Sequence, residues 1–232
     1  MRIAILTYPG LTALDAIGPF EVFNILREFE ICFVWKEVGP VVADGGRLIL
    51  GATHTLDEVQ CCDLLLVPGS SANTLTVMAD DVVMRWLRAV HAGTRFTASV
   101  CSGALILAAA GLLGDEPATT HWAAMPLLPR YGAKPEPDKR IVESGKLVTA
   151  AGVSAGIDLA LHLVAKLLDP ERAKIAQLLI EYDPQPPFDS GHMRKAQADI
   201  ARKAKARMSR IAMTNPRNLI SIPKLLTRQW RT

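Results

Sequence analysis

Phe96-Thr97-Ala98-Ser99-Val100-Cys101-Ser102-Gly103-Ala104 carries an apolar, strand-like segment into Cys-Ser-Gly and straight on into a small-residue helical pattern that reaches Ala110. This is the pattern of a nucleophile elbow. A sharp strand-to-helix turn forces its central residue into a strained backbone region and needs small neighbours for clearance. It also aims the sulfur at a helix N-terminus, whose dipole and free N–H groups favour thiolate and predict a pKa below the usual value of about 8.5. The competing reading is a small buried hydrophobe, a role cysteine often fills.

The flanking sequence repeats the strand–helix alternation. Arg2 to Tyr8 is a β-rich apolar run ended by Pro9-Gly10, and Ala13 to Arg27 follows with Leu14, Phe20, Val22, Phe23 and Leu26 at helical spacing. Ile31 to Lys36, Leu64 to Val67 and Lys146 to Ala150 have the character of strands covered on both faces. Asp80 to Ala92 and Ala155 to Leu168 read as further helices. Such alternation predicts an α/β fold, a parallel sheet sandwiched by helices. Pro184 to Pro187 ends the compact body, so residues 1–190 are expected to form one domain and 191–232 a C-terminal arm. Within the arm, Met193 to Met213 reads as a helix with Ile200, Ala204, Met208 and Ile211 on a thin apolar stripe, stopped by Asn215-Pro216.

Half of the 232 residues are hydrophobic and 21% are charged, which supports one sizeable core and excludes fibrous and disordered classes. Pro9-Gly10 comes too early for a signal h-region, and no apolar run approaches the roughly 18 residues of a membrane span, so a cytoplasmic chain without a membrane partner is expected. Cys32, Cys61, Cys62 and Cys101 have neither metal-ligand nor disulfide spacing, which suits a reducing compartment. The net charge of +3 conceals an asymmetry: residues 191–232 hold 11 of the 26 Lys and Arg but one of the 23 acids, leaving the arm at +10 and the body at −7. A basic arm on an acidic body either docks on its own body or a twin subunit or binds nucleic acid, and docking is the reading taken here.

A cysteine nucleophile needs a proton partner and an anion-stabilising site. Asp15, polar among apolar residues in Leu14-Asp15-Ala16-Ile17-Gly18-Pro19, follows the first strand and so lies near the carboxyl edge of an open parallel sheet, where ligands bind. It is either that partner or a helix N-cap. Val67-Pro68-Gly69-Ser70-Ser71 supplies a second strand-end loop suited to presenting backbone N–H groups. His121, in Thr119-Thr120-His121-Trp122, is either a base or a structural histidine.

Taken together, Leu14-Asp15 with Gly18-Pro19, Pro68-Gly69, Ser99 to Gly103 and Thr119 to Trp122 resemble the ThiJ/PfpI superfamily of class I glutamine amidotransferase-like proteins. Trp35 to Val42, Ala109 to Leu113, Ala155 to Asp158 and Glu181 to Phe188 resemble its isonitrile hydratase branch in particular. The likeness covers residues 1 to about 190 and extends to the arm only in its helical, basic character. It implies a flavodoxin-like sheet, a homodimer, and no metal or organic cofactor. By position it makes Cys101 the nucleophile, Asp15 the carboxyl group facing it and Ser102 the adjacent hydroxyl. Gly69, Ser70, Ile17 and His121 are the implied substrate- or oxyanion-binding residues. Two positions depart from the pattern. Ser102 stands where the branch carries Thr, and Ser70 stands where relatives carry a second Gly, so strain or a narrowed pocket is expected at Ser70.

The implied reaction adds the Cys101 thiolate to the terminal carbon of an isonitrile and hydrolyses the resulting thioimidate to an N-substituted formamide. Asp15 would serve as acid and then base, and the N–H groups of Gly69, Ser70 and Ser102 would hold the sulfur region. The alternatives are a ligand-binding module akin to the sensor half of AraC-type regulators, and a redox sensor that oxidises Cys101. About 42 residues after 190 are too few for the two helix-turn-helix units of such a regulator.

Overall fold

The computed structural model describes residues 1–214 and 221–225. Its elements run β1 (Arg2–Leu6), α1 (Ala13–Asn24), β2 (Glu30–Trp35), β3 (Gly39–Val42), β4 (Ile49–Ala52), β5 (His54–Thr55) and β6 (Leu64–Val67). There follow α2 (Thr74–Met78), α3 (Asp81–Gly93), β7 (Phe96–Ser99), α4 (Gly103–Ala109), β8 (Pro117–Ala118), a 3-10 helix (Met125–Tyr131) and β9 (Lys134–Pro135). The chain then forms β10 (Ile141–Ser144), β11 (Leu147–Ala150), α5 (Ala155–Leu167), α6 (Pro170–Leu179) and α7 (Ala198–Thr214).

A seven-stranded sheet has the order β10-β11-β7-β6-β1-β2-β5. Its central strands are parallel, as the alternation predicts, with β1 beside β6, β6 beside β7 and β7 beside β11. β6 is buried at every residue and β2, nearer the edge, at every second one, so both-face burial holds only for the centre. The exception to parallel pairing is β10, which runs antiparallel to β11. The turn through Gly145, at φ +57°, is too short for the crossover a parallel neighbour requires.

Helices cover both faces. On one face α1 meets α5 through two glycines: a Cβ at Gly18 would lie 3.2 Å from Ile157, and one at Gly156 would lie 3.1 Å from Pro19. On the other, Asp80 caps α3 by accepting from Val82 N at 3.1 Å and Val83 N at 3.3 Å. α6 is an addition to the elements read from sequence. Asp169 caps it, accepting from Arg172 N at 2.8 Å with Pro170 at its first turn, a legible start signal on a helix whose Ile175, Leu178 and Leu179 are exposed.

Because β1, β6, β7 and β11 are consecutive neighbours, the chain leaving their carboxyl ends converges. Thr12 N donates to Gly69 O at 2.9 Å, Val100 N to Val67 O at 3.1 Å and Cys101 N to Ala151 O at 2.8 Å. Loops far apart in sequence are thereby stitched into one floor.

Past residue 190, α7 begins five residues later than the sequence pattern suggests. Its inward residues are Ala201, Ala204, Met208 and Ile211, each half-buried, whereas Ile200 is exposed and does not belong to the stripe. Leu225 is buried against the core, while Leu219 and Ile220 lie outside the described residues.

Candidate active site

The elbow forms as its small residues predict. Cys101 has φ 57°, a left-handed conformation that costs a non-glycine residue on the order of 1–3 kcal/mol. Several contacts hold it there: its N–H donates to Ala151 O at 2.8 Å and its carbonyl accepts from Thr120 Oγ1 at 2.6 Å. Two glycines give clearance. A Cβ at Gly103 would lie 2.0 Å from Val67 O, and one at Gly69 would lie 2.5 Å from Ser102 N. Nothing in the Thr-Thr-His-Trp segment marks Thr120 as an elbow residue, since its hydroxyl acts on a backbone carbonyl 19 residues away.

Asp15 is completely buried in the first turn of α1 and is not its cap; Thr12 holds the capping position. Its carboxylate turns across the floor instead, where Oδ2 accepts from Gly69 N at 2.9 Å. The Cys101 thiol stands close enough to stabilise the charged carboxylate, although Oδ1 meets no full hydrogen-bond geometry. Burial pushes the Asp15 pKa up to about 7, against the opposing pull of the Gly69 N–H and the Cys101 thiol and with a contribution from Asp44.

The expectation of a low thiol pKa is overturned. Burial, and after it the charge of Asp15, push the Cys101 thiol far above its usual value; the N–H groups of Ser102 and Val153 and the Ser102 side chain oppose this. The sulfur's charged neighbour is a carboxylate, and a seven-residue α4 does not outweigh that and the loss of water. Thiol and carboxyl therefore act as a pair competing for protons.

The expected ring of N–H donors is also revised. Gly69 N is spent on Asp15, and Ser70 N donates to Ser102 Oγ at 3.0 Å. The groups that face the sulfur are Ser102 N and Val153 N, the latter carried in from the loop after β11. Ser102 Oγ also donates to Ser70 O at 3.1 Å and pairs with Thr74 Oγ1 at 2.7 Å, fastening the Ser70 loop to the elbow.

Ser70 is unstrained, because outside glycine only Cys101 and Glu181 have positive φ among the described residues. Its hydroxyl accepts from Asn73 N at 2.8 Å and donates to Gly10 O, which stiffens the loop. His121 lines the cavity above the floor, its pKa lowered by burial and its Nδ1 accepting from Ala123 N at 3.3 Å. Among the described residues no hydrogen bond joins it to Cys101 or Asp15. Gly152 accommodates its ring, since a Cβ there would lie 2.7 Å from His121 Cδ2. Ile17 is half-buried on α1 and does not line the cavity.

The cavity over Cys101 has a volume of about 900 Å³. Cys101, Ser102 and Ser70 form its polar base, and Leu75, Leu105, Trp122, Met125 and Leu127 supply apolar walls. Such a site suits a molecule with one reactive head and an apolar body. No three His, Cys, Asp or Glu side chains are grouped as metal ligands among the described residues.

Fold and site together define a cysteine-elbow α/β protein, and a profile of the DJ-1/PfpI family matches residues 1–166. The chain belongs to the DJ-1/PfpI family. It is 40% identical over 207 residues to the isonitrile hydratase of Pseudomonas putida, covering 89% of this chain and 90% of that protein. A ThiJ/PfpI family protein from Pseudomonas syringae superposes with a TM-score of 0.87 at 37% identity, covering 90% of this chain and 86% of that one. The HTH-type transcriptional regulator CdhR of Pseudomonas aeruginosa is 26% identical over 174 residues, covering 72% of this chain and 51% of the regulator.

Proposed function

We propose that this chain hydrates isonitriles to N-substituted formamides through a covalent adduct on Cys101. The observation that carries the reading is Cys101 at the base of an apolar cavity with the buried Asp15 carboxyl paired to it from behind, in a chain 40% identical to an isonitrile hydratase along nearly its whole length.

An isonitrile carbon becomes electrophilic as it gains a proton, so nucleophile and acid must act on one atom. The one-proton form of the pair meets this need. Asp15 carboxylate takes the thiol proton as the S–C bond forms, then passes it to the same carbon, giving a thioimidate with a new C–H bond. Asp15 next accepts a proton from water as the C–O bond forms. That proton passes from the carboxyl to the imidate nitrogen, and as the C–S bond breaks the new hydroxyl gives up its proton through the Asp15 carboxylate to sulfur, leaving the formamide C=O and N–H and restoring the thiol. Ser102 N and Val153 N stabilise sulfur whenever it carries charge. Ser102 Oγ acts mainly by holding the Ser70 loop in place. The family reading also carries a homodimer, and it leaves no role for nucleic acid.

The likeness to CdhR favours a second reading, ligand sensing without turnover. It is weaker, because this chain spans only 51% of that regulator and a sensor has no use for a proton-sharing pair. Purified protein and cyclohexyl isocyanide, followed by proton NMR, separate the two. Formation of N-cyclohexylformamide by the native chain and not by Cys101→Ala is expected, whereas saturable binding with no product would replace the hydratase by the sensor.

A further inference from the structure

The C-terminal arm lies outside the segment matched by the family profile, which ends at residue 166, and its basic composition offers no role in the chemistry above. Its placement does. His192, Met193 and Arg194 line the cavity over Cys101, as do Lys205, Met208 and Ser209 of α7. The arm is tied down near that rim: Arg194 pairs with Asp138, and His192 Nε2 stands 3.4 Å from Pro137 O. Pro137 and Asp138 are themselves cavity residues, so the ties are at the cavity's own edge. On α7 the half-buried stripe faces the body, while Arg202, Lys203, Arg207 and Arg210 remain exposed. Farther along, Ser221 and Leu225 are buried.

We infer that residues 192–194 and the inward face of α7, centred on Met208, form the outer wall of the cavity and determine which N-substituents the site accepts. The inference rests on the hydratase reading for the identity of the substrate. The reactive isonitrile carbon must reach Cys101 at the base, so its substituent extends toward the arm. Met193 and Met208 are unbranched, polarisable side chains that mould to apolar groups of differing outline. A cavity of about 900 Å³ is larger than a small isonitrile needs, which makes the wall a selector for bulky apolar substituents.

The test varies the size of position 208 in the full chain. With Met208→Trp, the ratio of kcat/KM for cyclohexyl over methyl isocyanide should fall about tenfold, mainly through the KM of the larger substrate. With Met208→Ala, the ratio for adamantyl over cyclohexyl isocyanide should rise by about threefold or more. Met208→Leu, close in volume, should keep both ratios within about twofold of native. Calorimetric binding of N-cyclohexylformamide to the same variants provides a readout that needs no turnover. Ratios unmoved by Trp and Ala in an active enzyme overturn the wall and leave the hydratase standing. Formamide affinity that follows residue 208 in a protein without turnover keeps the wall and removes the hydratase. Absence of both turnover and formamide binding overturns the wall as well.

Discussion

The two edges of the central sheet are built from similar residues and differ in how completely those residues are satisfied. At the amino edge, Thr94 Oγ1 and Thr97 Oγ1 stand 2.9 Å apart and His91 Nδ1 lies 2.8 Å from Thr97 Oγ1. Lys146 Nζ closes this edge, donating to Ala92 O at 3.2 Å at the end of α3. At the carboxyl edge, Cys101 is held at φ 57°, and the buried side-chain atoms without a hydrogen bond among the described residues are Asp15 Oδ1, Thr76 Oγ1 and Ser99 Oγ. Each edge has a buried thiol, and burial raises both, Cys62 to about 12 and Cys101 far above its usual value. Burial therefore does not distinguish a nucleophile. What sets Cys101 apart among the four cysteines is the strained turn, the facing carboxyl and the cavity above it, and on these the proposed role rests.

The comparison is tested most severely by removing each thiol. Cys101→Ala should lower turnover by at least about a thousandfold while the chain stays folded. Cys62→Ala should leave turnover within about twofold and cost on the order of 1 kcal/mol in denaturant midpoint. A reversal of these effects would place the chemistry at the wrong edge.

Asp15→Asn should reduce kcat by about a hundredfold or more, since the amide fills the same space without exchanging a proton. In the native chain kcat/KM should rise as pH passes about 7, where Asp15 becomes the carboxylate that accepts the thiol proton, and the Asn variant should lack that step. Stability should move the other way. The folded pKa of about 7 lies above the ordinary 3.8, so between those values the folded chain binds more protons than the unfolded one. The Asp15 contribution to native stability accordingly falls by about 2–4 kcal/mol as pH rises from about 4 to 7 and is constant above, and Asp15→Asn should flatten this slope in thermal melts.

Smaller effects are expected where the edge is fastened. Ser102→Ala strips the Ser70 N–H of its acceptor and should cost about 1–2 kcal/mol and about tenfold in activity, whereas Ser102→Thr should retain both. Equal behaviour of all three would make the hydroxyl a bystander. Smallest is the strain itself: Cys101→Gly should be more stable than Cys101→Ala by about 1 kcal/mol, because glycine accepts positive φ without a Cβ clash.

How much of this edge is visible in the sequence depends on whether a function resides in a side chain's type or in a backbone position. The elbow is legible because clearance demands small residues, and Ser102-Gly103 after an apolar strand supplies them. Asp15 is legible as a carboxylate out of place in an apolar helix, but its freedom from capping depends on tertiary geometry. Val153 contributes only an N–H, which every residue but proline has, so nothing in its identity marks it. The sign of the Cys101 shift is hidden from the sequence for a related reason: a helix N-terminus is local, whereas burial and the Asp15 charge come from remote segments. In the fold, the parallel core follows from apolar runs of strand length. The antiparallel β10 depends on one short turn at Gly145, and the thin apolar stripe of α7 marks an inward face without marking what it faces.

The central claim is that Cys101 forms a covalent bond to substrate carbon while Asp15 handles the proton. Rapid-quench mass spectrometry of the native chain with cyclohexyl isocyanide tests it most directly. The account predicts a transient mass increase equal to one isonitrile on the peptide containing Cys101, decaying as N-cyclohexylformamide appears and persisting longer in Asp15→Asn. Formamide released at full rate with Cys101 never modified would contradict it.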